Sequence, residues 1–386
     1  MENTLAPAPK ARISVPVIAL ALYAVASGYL MSLIPLMLPE YGLEGSLASW
    51  LASVFYAGLL IGAIGVEPLV KKVGHRSAFV WCLVAFIITI MMLPLLPNAT
   101  AWIIARFVAG MAVAGVFVIV ESWLLHGDEK ARAKRLGLYM ASLYGGSALG
   151  QLGIGVIGIS GGVPFITIVT LLIVAVVVLL FGESDQPESA HSIPLSLKQI
   201  GKLNHAAMIG CAVSGLTLGA IYGLMPIELQ TRGIQNSDIG GLMAIIILGG
   251  MAVQPIVPWL SKFLGRTLLM ALFCMLGVAA ITFTTMVDGL QALGAGLFLL
   301  GMATFALYPV AINLGCDKLE ANYIVSATQV MLFSYSIGSV AGPVAADWFM
   351  AGTQGLMGYL FATLLATCLY MLIASIRTKR QAVAGE

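Results

Sequence analysis

Charge is scarce in this chain. Asp, Glu, Lys and Arg make up 9% of its 386 residues, against about a quarter in an ordinary soluble domain. With 60% hydrophobic residues, too little polar surface remains to wrap a water-soluble core, so much of the apolar surface must face lipid. The net charge of +2 gives no basis for a nucleic-acid partner. The five cysteines (Cys82, Cys211, Cys274, Cys316 and Cys368) stand singly in apolar surroundings, so neither a disulfide framework nor a cysteine metal site is encoded. His75, His126, His191 and His205 fall in or beside the polar connections, which argues against a histidine proton relay at mid-membrane. No G-x-x-x-x-G-K-[ST] stretch occurs, so no motif for ATP use is present. A membrane-embedded enzyme would need a Ser–His, paired-Asp or metal cluster inside an apolar run, and none is found. No cofactor and no metal are expected.

What charge there is has a pattern. Seventeen of the 19 Lys and Arg residues fall in seven short clusters: Lys10/Arg12, Lys71/Lys72/Arg76, Lys130 to Arg135, Lys198/Lys202, Lys262/Arg266, Lys318, and Arg377 to Arg380. Between neighbouring clusters lies enough apolar sequence to cross a bilayer twice. Basic loops resist translocation, so the clusters mark the cytoplasmic side. Six intervals of two crossings predict twelve spans with both termini cytoplasmic. The spans read as roughly 13–38, 46–70, 77–97, 100–124, 134–158, 162–182, 204–229, 238–261, 267–287, 290–314, 322–347 and 355–376. The first is too long for the apolar core of a removable leader. The longest connection, about 183–203, reads either as a short helix on the membrane surface or as a plain tether.

An internal repeat points to two similar halves. Leu69, Lys71 and Gly74 recur 191 residues later as Leu260, Lys262 and Gly265, and Gly110-Met111-Ala112 recurs at the same offset as Gly301-Met302-Ala303. Gly146-Ser147 and Gly150 recur one residue further on as Gly338-Ser339 and Gly342. The predicted class is an all-α membrane protein of twelve helices in two six-helix bundles, 1–182 and 204–386, joined by a linker at 183–203. Such repeats, related by an axis along the membrane normal, place a substrate site between the halves near mid-membrane.

The sequence resembles the bacterial YcaD-like branch of the major facilitator superfamily. The resemblance is carried by Arg106-Phe107-Val108-Ala109-Gly110, Val120-Glu121-Ser122, Tyr139-Met140 with Tyr144 and Gly150-Gln151, Gly223-Leu224-Met225-Pro226, Leu307-Tyr308-Pro309, and Ser334 to Ser339 with Gly342-Pro343. It covers essentially the whole chain and implies a secondary transporter in a bacterial inner membrane, without bringing a substrate.

Arg106 and Arg232 are the two basic residues outside the clusters. Arg106 lies about six residues into span 4, where an isolated Arg costs at least about 2.5 kcal/mol and should face a cavity or a partner. Arg106-x-x-x-Gly110 is similar to the superfamily's motif B, whose Arg is associated with proton coupling; the bland reading is an Arg that snorkels or braces helix ends. Glu121 lies fifteen residues on in the same helix, about 22 Å away and about 60° around the axis. It is read either as a proton-binding group or as a latch to Arg76 or Lys72 that closes the cytoplasmic face. The stretch Lys71 to Arg76 is a degenerate motif A that keeps Gly74 and the basic residues but puts Lys71 where Asp is expected. The cytoplasmic gate is thus assigned to Lys72, Gly74, Arg76 and Glu121.

Gly146-x-x-x-Gly150-Gln151 resembles the antiporter motif C with Gln151 in place of its Pro; Gly338 to Gly342 followed by Pro343 is the intact form. Together with Gly110 these glycines are read as helix-packing positions. Gly153 to Gly158 satisfies G-x-G-x-x-G, but in an apolar helix that spacing serves packing and not dinucleotide binding. Polar side chains that could meet a substrate near mid-span are Tyr29, Tyr144, Gln151, Tyr222, Gln254, Tyr308 and Tyr335; each could equally be a satisfied packing residue. Glu228 with Arg232 reads as an outer-gate pair. The expected function is proton-coupled export of a small apolar or amphipathic compound by a monomer. The alternatives are proton-coupled uptake of a small metabolite or, in another class, a receptor or scaffold on a transporter fold.

Overall fold

A computed structural model of the chain describes residues 13–124, 135, 137–183, 203–317, 321–352 and 355–384. The connection at 184–202 and the basic residues Lys10, Arg12, Lys130, Arg132, Lys134, Lys198, Lys202 and Lys318 lie outside the described residues. Among those described there is helix and no strand. Span 1 is Ser14–Met37, and spans 2 and 3 are Leu47–Val66 and Pro68–Leu95. Span 4 is Ala99–Leu124, span 6 Val163–Phe181 and span 7 His205–Thr231. Span 8 is Asn236–Leu260, span 9 Arg266–Met286 and span 10 Leu290–Cys316, and span 12 begins at Gly355. These ten are long and apolar enough to cross a membrane. Span 11 is the helix Ala321–Met350. Span 5 is broken into a π turn at Ala141–Gly145 and helices Gly146–Gln151 and Gly153–Val156. Its run of glycines, the residue least able to hold a helix after proline, accounts for the breaks. Large apolar side chains such as Trp81, Phe181 and Trp348 stand exposed on the outside, as lipid contact requires.

Two connections are tighter than the sequence suggests. Spans 2 and 3 run as one helical segment, Leu47–Leu95, turned at Gly74, whose φ of 81° and ψ of 164° are open to glycine and to few other residues. No loop intervenes, so His75 is carried into the bundle instead of into a polar connection. It is buried, and its Nε2 lies 3.0 Å from Ser122 Oγ of span 4. In span 8, Pro255 breaks the helix, and the Gln254 amide donates to the Gly250 carbonyl at 3.0 Å, replacing the backbone bond lost there.

The repeat is visible in packing. Without a hydrophobic drive between helices in lipid, close backbone approach at small residues holds the bundle. Gly58 and Gly110 bring span 2 onto span 4 at the Phe107 and Phe55 carbonyls; 191 residues on, Gly249 and Gly301 bring span 8 onto span 10 at the Phe298 and Ile246 carbonyls. Gly28 and Gly150 seat span 1 on span 5, and Gly219 and Gly342 seat span 7 on span 11 in the same way. Even the turn at the start of span 3 has its counterpart. His75 meets Ser122, and Arg266, 191 residues later, donates to the carbonyl of Asn313 at 2.6 Å and pairs with Asp317. Among the described residues, one packing plan is used twice.

Candidate functional site

Gly110 determines where Arg106 points. Because span 4 lies flush on span 2 at the Phe55 carbonyl, the Arg106 side chain, one turn earlier, is set over the Phe55 ring with Cζ 4.3 Å from its centroid. Among the described residues the buried Nε has no hydrogen-bond partner, and no carboxylate lies within ion-pair distance of Arg106. It borders a cavity lined by spans 1, 2, 3, 4 and 7. Ser27, Tyr56 and Tyr222 supply hydroxyls to its lining, and Leu30, Ile34 and Phe86 supply part of its apolar wall. Arg106 is the one charged residue in that lining.

Tyrosines from both halves converge beside it. Tyr222 and Tyr144 each meet the Phe305 ring edge-on, at 5.9 and 5.5 Å between centroids, and Tyr308 lies 5.0 Å from Tyr335. Ala148 of span 5 packs with Ala244 and Ile247 of span 8 beneath Tyr144 and Tyr222. Four of the expected substrate residues, Tyr144, Tyr222, Tyr308 and Tyr335, therefore lie near one another at the junction of the halves. The other three have different surroundings. The Tyr29 hydroxyl donates to the Gly158 carbonyl at 2.6 Å, tying span 1 to the end of span 5. Gln151 is fully buried, and its Oε1 accepts from Ser32 at 2.5 Å. Gln254 repairs its own helix, as described above. Phe55, Tyr56 and Phe305 were not legible in the sequence because aromatic residues in apolar helices carry no signal of which way they face.

The halves touch at the end away from the basic loops. Gly240 of span 8 lies on the Gln151 carbonyl of span 5, and Gly155 of span 5 lies on the Ser237 carbonyl of span 8. Gly223 of span 7 seats against the methyl of Ala52 in span 2, directly over the cavity. Asp347 of span 11 lies beside Ser49 of span 2. At the basic-loop end Glu121 and Ser122 are exposed. Glu121 accepts a hydrogen bond from Tyr139 at 2.9 Å, and no basic side chain pairs with it among the described residues. The latch to Arg76 or Lys72 is not formed in this conformation; Lys72 is exposed and Arg76 half-buried.

The pair Glu228–Arg232 does form, with Nε 3.0 Å from Oε1, but within one helix. The other carboxylate oxygen accepts from the backbone N–H of Leu356 at 3.0 Å, so Glu228 fastens the start of span 12 to span 7 inside one half. It is therefore a brace and not a contact between halves. Glu228→Ala leaves that buried N–H and the guanidinium without their acceptor. It is expected to lower stability by about 1–3 kcal/mol, read as a fall in the thermal midpoint of the purified protein, with Glu228→Gln losing less.

A model of the Major Facilitator Superfamily matches residues 17–343. The chain belongs to the major facilitator superfamily. Within it, the chain is similar to uncharacterized MFS-type transporters of the YcaD-like group. It is 32% identical to YcaD of Escherichia fergusonii over 95% of this chain and 96% of that one. It is 31% identical to a relative from Enterobacter sp. strain 638 over 92% and 93%. Solved superfamily structures share its fold at low identity. The nucleoside transporter NupG, solved as a point mutant, superposes with a TM-score of 0.78 at 11% identity, covering 94% of this chain and 98% of that one. A bacterial homologue of the lysosomal transporter Spinster, in an inward-facing and occupied conformation, gives 0.70 at 14% identity, covering 94% of each chain. Membership makes the protein a multi-pass membrane protein and a secondary transporter of a small molecule.

Proposed function

We propose that the protein exports a small amphipathic compound across the bacterial inner membrane, as a monomer, by alternating access coupled to protons and without ATP. The observation that carries this reading is the cavity between the halves, closed at one end by glycine contacts and holding an unpaired Arg106. In this reading the positive-inside rule sets that closed end outside and both termini in the cytoplasm, which makes the conformation an inward-facing one. A rocking of spans 1–6 against spans 7–12 would release the contacts of Gly155, Gly223 and Gly240 and open the cavity outward. Glu121, exposed at the inner side and hydrogen-bonded only to Tyr139, is the proton-binding group in this scheme, and Arg106 the residue at the cargo. In the outward-facing state the latch from Glu121 to Arg76 or Lys72 would close the inner end. Export is favoured over uptake by the glycine packing of span 5 on span 1 and of span 11 on span 7, at the positions that resemble the antiporter motif.

A pH-pulse assay in proteoliposomes tests the coupling. In the wild type, an imposed pH gradient is expected to drive substrate movement against its own gradient. Glu121→Gln is expected to reduce gradient-driven movement at least about 10-fold while substrate exchange at equal pH persists. Undiminished gradient-driven transport in Glu121→Gln would remove the assigned role.

A further inference from the structure

We propose that the cavity takes a monoanionic cargo: an amphipathic organic acid whose carboxylate is held by Arg106. This rests on the reading of the protein as a transporter with its cargo between the halves, and it names the chemical class of that cargo.

The charge of the cavity is the first argument. Its lining contains one cation and no acid, and no carboxylate from elsewhere among the described residues reaches the guanidinium. A buried charge without a counter-ion is unfavourable, so a site of this kind is completed by an anion. A cationic cargo would face an unscreened like charge, and a neutral one would leave the guanidinium uncompensated.

The available donors are the second. The Phe55 ring occupies one face of the guanidinium, with Cζ 4.3 Å from the ring centroid. That leaves the N–H edge, the part of Arg that grips a carboxylate with two parallel hydrogen bonds. None of the Arg106 N–H groups is hydrogen-bonded among the described residues; Nε is buried, so the two terminal nitrogens are the donors left for a cargo. The hydroxyls of Tyr56 and Tyr222 also have no hydrogen-bond partner within the described protein and can donate to the same oxygens. A phosphate ester, carrying nearly two charges, would call for a second cation, which the lining lacks.

The rest of the wall is the third. Leu30, Met31, Ile34, Leu51 and Phe86 present an apolar surface to whatever carries the acid group. A small, fully hydrated carboxylate would leave that surface against water. An acid with an apolar body covers it.

The test uses the purified full-length protein and three acids, 3-phenylpropionate, octanoate and indole-3-acetate, each against its own primary amide, with phenethylamine as the cationic probe. Thermal-shift titrations are expected to show stabilisation by at least one of the acids, with its amide at least about 10-fold weaker. Arg106→Lys is expected to keep part of the effect, because the charge remains and the two-pronged geometry does not; Arg106→Gln is expected to lose it. Equal stabilisation by acid and amide, preference for the amine, an undiminished effect in Arg106→Gln, or no shift with any of the three acids would each overturn the proposal. The acid–amide comparison needs no variant, so a poorly folding substitution does not blunt it. Counterflow in proteoliposomes separates this idea from the one beneath it. Arg106-dependent binding of an acid that shows no counterflow overturns the transporter reading and leaves the anion site standing. Counterflow of the amide at the rate of its acid overturns the anion site and leaves the transporter.

Discussion

Gly240→Trp is expected to abolish transport while leaving each half folded. Gly240 lies on the backbone carbonyl of Gln151, and an added Cβ would already stand 3.0 Å from Ile154 Cβ before any indole is placed. Backbone and a branched side chain cannot swing aside as a lysine tip can, so spans 5 and 8 must separate at this end. The contacts that hold each half together lie elsewhere, at Gly28, Gly58 and Gly150 in one half and at Gly219, Gly249 and Gly301 in the other. The cost therefore falls on the junction between halves and not on either bundle. The protein should be held open on the side away from the basic loops. Counterflow is expected to fall at least about 100-fold, the equivalent of disfavouring the closed state by about 2.7 kcal/mol. A thiol introduced by Ser27→Cys in the cavity lining is expected to react faster with a membrane-impermeant maleimide added from that side. Retained counterflow, or a thiol no more reactive than in the wild type, would show that these glycines do not form the closure.

Gly110→Leu is expected to fail at an earlier stage, in folding. A Cβ at Gly110 overlaps the Phe55 carbonyl and stands 2.8 Å from the Leu59 nitrogen, so spans 2 and 4 cannot reach their present distance. Overpacking against side chains typically costs about 1–3 kcal/mol because rotamers shift; backbone against backbone offers no such relief. The loss should exceed that range and appear as a sharply lower thermal midpoint or no monodisperse protein. Gly110→Ala carries the same Cβ and is expected to reduce both stability and transport, since any outward shift of span 4 draws Arg106 off the Phe55 ring. Gly65→Ala is the control. It sits on an exposed face of span 2 with nothing near its Cβ, and there alanine is expected to be neutral or to add up to about 1 kcal/mol. Equal behaviour of Gly110→Ala and Gly65→Ala would contradict the packing argument.

The difference between these two glycines bears on what can be read from sequence. Both lie in apolar helices, and composition does not separate them. Gly110 was recognisable because it recurs as Gly301 beside the same Met-Ala pair, and a repeated glycine implies a repeated close approach. Gly155, Gly223 and Gly240 serve the contact between halves, which is not repeated within either half, and no periodicity marks them. Tyr29 and Tyr222 form a similar pair. Each is a tyrosine well inside an odd-numbered span, yet one hydroxyl is spent on the Gly158 carbonyl and the other borders the cavity. His75 was placed in a connection because basic residues surround it; the turn at Gly74 then carried it into the bundle. Glu228 and Arg232 were recognisable as partners from their spacing of one helical turn. The hold of Glu228 on Leu356, 128 residues away, was not.

By itself the sequence determined that the chain is an all-helical, multi-pass membrane protein with an internal repeat. Insertion is decided locally, by the apolarity of windows of about 20 residues and the charge of the loops beside them, and both can be read along the chain. It also singled out Arg106, because a charge inside an apolar run stands out without knowledge of the fold. Only the tertiary structure decided what Arg106 faces, which tyrosines join it, and which end of the molecule is closed. Those depend on the direction each side chain takes from its helix and on how near two helices come, and that distance is set by glycines of spans 2 and 4, 5 and 8, and 2 and 7 meeting backbone or methyl groups far away in sequence.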